Sequence, residues 1–191
     1  APNANFNKGT IELAPNLRWK GIVPMVKITE RRTGLKTRIT NDANAAALGE
    51  MIFGAAKGVK DFIILTLGTG LGSGIVVDGE VVYGHTGFAG ELGHMTVAEG
   101  GRVCGCGRRG CLETYASATG LVRTVLSLLS DRRDESMLRE LKSTEITSRR
   151  IAEAAAAGDA IAQEALDQTA RMIALGIANS VIFSSPEAIY L

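Results

Sequence analysis

The spacing of apolar positions changes character along the chain. Phe62-Ile63-Ile64-Leu65-Thr66-Leu67 is an apolar run of strand length, and Ile75-Val76-Val77 and Glu80-Val81-Val82-Tyr83 flank Asp78-Gly79, a pair that closes hairpins. A strand, a glycine-rich turn and a meander are predicted there. Before them, the alanine-rich stretch Ala43 to Phe53 has helical spacing, is preceded by Asn41-Asp42 and ends in glycines from Gly54 to Gly58. This predicts a helix with Asp42 at its start. From Leu112 onward the pattern is helical, over Leu112 to Leu129, Met137 to Leu141, Ser148 to Ala157 and Ala160 to Phe183, with Thr147 and Asp159 as N-caps. The first forty residues carry proline and glycine turn signals between the β-rich pieces Thr10 to Leu13 and Thr37 to Thr40. They read as the end of a domain that began upstream. Ala188 to Leu191 is strand-like, and with no initiator Met the chain reads as a piece of a longer protein.

A chain of 191 residues can bury a real core. The 21 Lys and Arg against 20 Asp and Glu leave no basic field for nucleic acid or anionic lipid, so any phosphate binding must be local. No apolar run of about twenty residues appears, and the first residues lack the charge pattern of a signal or transit peptide. A cytoplasmic protein with no membrane or nucleic-acid partner is expected.

Two segments carry chemistry. In Gly68-Thr69-Gly70-Leu71-Gly72-Ser73-Gly74, glycine recurs at every second residue directly after a strand. Backbone amides with the Thr69 and Ser73 hydroxyls there suit phosphate oxygens, though a tight hairpin has the same signature. It is neither a Walker loop, which needs Gly-Lys-Ser/Thr, nor a dinucleotide fingerprint, which needs a following helix. In the second segment, Cys104, Cys106 and Cys111, with His94 upstream, offer three thiolates and an imidazole, a tetrahedral set for a structural zinc ion. A redox thiol pair or space-filling cysteines are the alternatives. His85 is a weaker candidate ligand.

Asn41-Asp42, the Gly68 to Gly74 turn, Glu91-Leu92-Gly93-His94, the loop Cys104-Gly105-Cys106-Gly107-Arg108-Arg109-Gly110-Cys111 and Leu112-Glu113-Thr114 stand in an order and spacing that closely resemble the ROK family of repressors, open reading frames and kinases. The segment Gly9 to Trp19 resembles the glucokinases among them. The resemblance implies an α/β, actin-like and hexokinase-like (ribonuclease H-like) ATPase fold of two domains with a cleft. The expected division is 1–58, the rest of an incomplete first domain and its interdomain helix, and 59–191, a second domain with the zinc loop. It also implies ATP-dependent phosphorylation of a hexose, with glucose the first choice. By the same resemblance Asp42 is the catalytic base, and Asn41, Asp42, Glu91, His94 and Glu113 contact the sugar. Gly68, Thr69, Gly70 and Gly72 face the nucleotide phosphates, and His94, Cys104, Cys106 and Cys111 hold Zn2+. Mg2+ is expected from ATP chemistry, and a homodimer or homotetramer is expected because family members often form one.

A carboxylate at a helix start suits both a base and an ordinary N-cap, and Glu113, also near a helix start, admits the same plain reading. The Asp-x-Gly-Gly-Thr loop of the family's kinases is missing, as is their late paired-glycine loop, so this polypeptide alone is expected to bind ATP poorly. The alternative is a sugar-sensing repressor of the same family, which needs a helix-turn-helix segment upstream. A purely structural zinc-binding or interaction module is the third reading.

Overall fold

Phe62 to Leu65 are all buried, the pattern of a strand covered on both faces. In the computed structural model, which describes residues 3–13, 19 and 21–191, this segment is β3 (Phe62–Leu67). The residues group into two compact units, one from Ala1–Thr66, Gly72–Glu91 and Ser185–Leu191, the other from Leu67–Leu71 and Leu92–Ser184.

In the first unit, β1 (Asn3–Asn5) pairs antiparallel with β2 (Thr10–Leu13). A four-stranded sheet has β3 flanked by β4 (Leu71–Val77) and by β6 (Ala188–Tyr190), with β5 (Glu80–Val81) outside β4. β6 runs parallel to β3, with Phe62 opposite Ala188, whereas β5 is antiparallel to β4. The hairpin between β4 and β5 forms as expected: Asp78 and Gly79 both take positive φ, 53° and 77°, the conformation that matches the twist of paired strands. Helix α2 (Asp42–Phe53) is capped by Asn41, whose side chain accepts a hydrogen bond from the Asn44 N–H at 2.7 Å. Ala47, Ala56, Phe62, Ile64 and Val76 form the core, and the Phe62 ring meets the edge of Tyr190 at 5.5 Å.

The second unit is mostly helical. Short α3 (Glu113–Ala116) leads into α4 (Ala118–Asp131), followed by α5 (Ser148–Ala156) and the long α6 (Ala160–Ser184). Leu121 and Val125 of α4, Ile151 and Ala154 of α5, and Ile161, Ala162 and Ala165 of α6 converge with Leu138 and Ile146 into one core. Thr147 caps α5, its Oγ1 accepting from the Arg150 N–H at 3.3 Å. Asp159 caps α6, accepting from the Ala162 N–H at 3.0 Å, and its other oxygen accepts from Ser136 Oγ at 2.7 Å and the Met137 N–H at 2.9 Å. No helix among the described residues is long and apolar enough to cross a membrane.

Four local readings change. Thr37 to Thr40 is not a strand: the Thr37 N–H is taken by Glu30 Oε1 at 3.1 Å, and its hydroxyl bonds Leu35 O. Within the region read as loops lies α1 (Met25–Thr33), entered from Pro24 and ended by Gly34 at φ 71°. The helix expected over Leu112 to Leu129 is broken at Ser117, whose extended backbone separates α3 from α4 while its side chain caps α4 through the Gly120 N–H. The strand expected over Glu80 to Tyr83 ends at Val81. Within the glucokinase-like segment Gly9 to Trp19, residues 14–18 lie outside the described set.

Candidate functional site

Glycines 68, 70, 72 and 74 do two jobs. Gly68, Thr69 and Gly70 form the exposed turn, closed by a Gly68 N–H to Gly70 O bond of 3.0 Å. Gly72 and Gly74 lie on one face of β4, where a β-carbon would stand 3.1 Å from the Ala43 β-carbon and 2.9 Å from that of Ala47. Period-two glycine here is a smooth strip against which α2 packs closely. Ser73 points the other way, is buried, and donates to Gly90 O.

That packing places the start of α2. Asn41 uses its side-chain oxygen as the cap and donates from Nδ2 to Glu91 Oε1 at 3.4 Å. Asp42, the first helical residue, is exposed, and its Oδ1 accepts from the Ala43 N–H at 3.0 Å. Asn41, Asp42 and Glu91, far apart in sequence, therefore gather in the first unit. Two buried oxygens flank them: among the described residues neither Asn44 Oδ1 nor Thr40 Oγ1 has a hydrogen-bond partner.

In the second unit the cysteine loop folds on itself. The Cys104 N–H bonds Arg108 O at 2.9 Å, the Gly107 N–H bonds Cys104 O at 3.0 Å, and the Gly110 N–H bonds Arg102 O at 2.9 Å. Gly110 is required on two counts: its φ is 75°, and a β-carbon would collide with the Ala98 carbonyl oxygen. The loop brings Cys104, Cys106 and Cys111 to His94, with one ligand atom from each within 4.8 Å of all the others. Cys106 Sγ lies 3.7 Å from Cys111 Sγ, and Cys104 Sγ 3.6 Å from His94 Nδ1. A tetrahedral zinc with bonds of about 2.0–2.3 Å has ligand–ligand edges of about 3.5–3.8 Å, so this donor set fits a structural zinc ion. His85, exposed in a turn, is not part of it.

The electrostatics of the loop are uneven. Burial pushes Cys104 up, and its hydrogen bond to Glu113 adds to this; burial also raises Cys111. For Cys106, burial is outweighed by hydrogen bonds from the Arg108 backbone and guanidinium and from the other thiols, which bring it down to about 6. Arg108 also donates to His94 O at 2.7 Å, fixing the ligand backbone. Glu113 stands beside the cluster, Oε1 3.0 Å from Cys104 Sγ and 3.7 Å from His94 Nδ1. His94 and Glu113, both named from sequence, are thus brought together.

Some positioning residues carried no signal in the sequence. Arg102 donates from Nη1 to Thr114 O at 2.9 Å and Gly120 O at 3.1 Å, and its guanidinium lies 4.5 Å from the centre of the Tyr115 ring. It clamps the corner between α3 and α4. Thr119 and Ser117 act at the same corner, and small hydroxyl residues within a helical pattern give no hint of such roles.

The chain resembles known proteins over nearly all of its length. It is 40% identical over 188 residues to a glucokinase of Halalkalibacterium halodurans, which covers 97% of this chain and 57% of that protein. It is 39% identical over 183 residues to a xylose repressor of Caldicellulosiruptor bescii, covering 96% of this chain and 46% of that protein. The chain therefore spans about half the length of these curated relatives. Among solved structures, a ROK family glucokinase from Streptomyces griseus in complex with glucose and AMPPNP superposes with a TM-score of 0.86 at 37% identity, covering 99% of this chain and 62% of that one. The fold is the α/β, actin-like and hexokinase-like one that the motifs imply. The family model described as ROK family matches residues 5–191, and with these relatives it shows that the chain belongs to the ROK family.

Proposed function

We propose that this chain is part of an ATP-dependent hexose kinase acting on glucose, with Asp42 as its general base. The observation that carries the reading is the exposed Asp42 carboxylate at the start of α2, beside an Asn41 tied to Glu91. In phosphoryl transfer the protein mainly positions reactants and stabilises charge, while a carboxylate takes the hydroxyl proton as the sugar oxygen attacks phosphorus. Asp42 takes that proton, and Asn41, Glu91, His94 and Glu113 bond sugar hydroxyls. Such a site rejects analogues that leave its polar groups unpaired.

The turn Gly68-Thr69-Gly70 and the start of β4 at Gly72 present backbone to the ATP phosphates, and Mg2+ accompanies the nucleotide. Zinc held by His94, Cys104, Cys106 and Cys111 has no open position and serves to fix the loop. The glucokinase of H. halodurans and the glucose-bound S. griseus structure support this reading. The similarity to a xylose repressor supports a second, in which the same sugar contacts serve sensing. A soluble cytoplasmic enzyme, with subunits that pair as dimers or tetramers, completes the proposal.

The test is ATP-dependent phosphorylation of a hexose panel by the full-length protein. Turnover with glucose preferred supports the kinase. Sugar binding without turnover on any hexose, together with binding to operator DNA, establishes the repressor.

A further inference from the structure

The turn Gly68-Thr69-Gly70 is held by its carbonyls. The Ala118 N–H, the first of α4, donates to Gly68 O at 2.9 Å, and Thr119 Oγ1 donates to Thr69 O at 2.7 Å. In a trans peptide the N–H points opposite to the C=O of the same plane. Pinning the carbonyls of residues 68 and 69 toward α4 therefore turns the N–H groups of Thr69 and Gly70 away from α4, and both residues are exposed. The third plane is fixed by the turn itself, where the Gly68 N–H takes Gly70 O at 3.0 Å. Glycine makes a turn pliable, so an unanchored turn with two glycines would sample many amide directions.

Ser117 works on the other side of the same corner. Its hydroxyl donates to Glu113 O at 2.6 Å and accepts from the Gly120 N–H at 3.0 Å. One break between two helices thus fixes the backbone of Glu113 and the amides of the turn together.

We propose that Thr119 is a positioning residue for nucleotide: its hydroxyl orients the Thr69–Gly70 peptide so that the turn presents preorganised N–H donors to an anionic phosphate. The inference rests on the kinase reading for the identity of the ligand, while the geometry that carries it is that of the turn and α4. Thr119 is itself exposed, and Ser117, whose hydroxyl lies 3.0 Å from that of Thr119, keeps its own bonds to Glu113 O and the Gly120 N–H when Thr119 is replaced, so the cap of α4 stays in place.

The experiment compares wild type, Thr119→Val and Thr119→Ser in the full-length protein. ATP-Mg2+ binding and glucose binding are measured separately by calorimetry, alongside turnover and the thermal midpoint. Valine keeps the shape and removes the hydroxyl; serine restores it. A hydrogen bond of this kind is worth roughly 0.5–1.5 kcal/mol, so Thr119→Val is expected to weaken ATP binding by about 2- to 13-fold. Glucose affinity and thermal midpoint should stay as in wild type, and Thr119→Ser should recover most of the ATP affinity. Wild-type ATP affinity in Thr119→Val, or equal losses for ATP and glucose, overturns the inference while leaving the kinase reading intact. If the wild type binds ATP but phosphorylates no hexose, the kinase reading falls, and the affinity ratio between wild type and Thr119→Val still decides the role of Thr119. If it binds no ATP at all, both fall.

Discussion

A β-carbon on Gly70 would stand 2.9 Å from Glu113 Oε2, so the glycine turn and the carboxylate beside the cysteine cluster occupy one another's space. The obstacle is the free end of a flexible side chain, not backbone, and a methyl group there displaces the carboxylate rather than the fold. Gly70→Ala is therefore expected to keep the thermal midpoint and to weaken glucose binding by about tenfold, the scale of one hydrogen bond to a charged group. Calorimetry with glucose in the absence of nucleotide separates this from any effect on phosphate. An unaltered glucose affinity would remove Glu113 from the sugar contacts.

Asp42→Ala should lower the turnover number by about 10²- to 10⁴-fold, the usual contribution of a positioned base, with glucose binding largely retained. Stability should change little, because the helix keeps Asn41 as its cap. Steady-state kinetics on the full-length protein check both. A variant with wild-type turnover would show that Asp42 only favours the helix start.

Metal removal should loosen the cysteine loop and, through His94 and Glu113, the proposed sugar contacts. Chelation, or Cys111→Ser, is expected to abolish bound zinc in an elemental assay, lower the thermal midpoint and weaken glucose binding. Because burial holds the Cys104 and Cys111 thiols above their ordinary value, metal uptake near neutral pH must expel their protons. Zinc affinity should fall as pH falls, and calorimetry in buffers of different ionisation enthalpy should record the release. Loss of zinc with unchanged glucose affinity would confine the metal to a structural role remote from sugar.

Asp159 contributes to the helical unit in a pH-dependent way. Burial works against its charge, yet hydrogen bonds from Ser136, Ala162, Met137 and Ile161 outweigh it and hold the carboxyl below its ordinary value. A depressed carboxylate stabilises the fold above the unfolded-state pKa, and the contribution is lost as pH falls through the folded-state value. Asp159→Ala is expected to cost about 1–3 kcal/mol at pH 7 in urea unfolding, with the gap to wild type closing in strong acid. A gap that does not depend on pH would assign the loss to packing.

How much of this could be read in advance differed from element to element. β3 and the Asp78-Gly79 hairpin were plain, because continuous apolar residues and a positive-φ pair have few other uses. α1 was hidden: Pro24 reads as a breaker although it stands at the helix entrance, and the helix buries no side chain that would impose a period. The break at Ser117 was hidden as well, since Ala, Ser, Thr and Gly around it fit a helix, and the hydroxyl bonds that end α3 depend on tertiary placement. The alternating glycines were visible, but their division between a turn and a strip under α2 required the position of Ala43 and Ala47. Asp42, Glu91 and Glu113 stood out through family resemblance alone. Thr119 had no signal, because its partner is a backbone carbonyl fifty residues away.

The parallel pairing of β6 with β3 sets an order of events during synthesis. The Glu187 N–H reaches Asp61 O at 2.7 Å, and the Tyr190 hydroxyl reaches Ala55 O at 3.2 Å, so β6 joins a sheet whose other strands were made long before. Until the whole helical unit has left the ribosome, β3 has one open edge, lined by unpaired amides beside the most apolar segment of the chain. The helical unit, with its largely local contacts, can fold during that delay, whereas the sheet must wait. A nascent chain stalled before Ser185 would thus leave that edge of β3 exposed, and the arrival of β6 is the step that covers it.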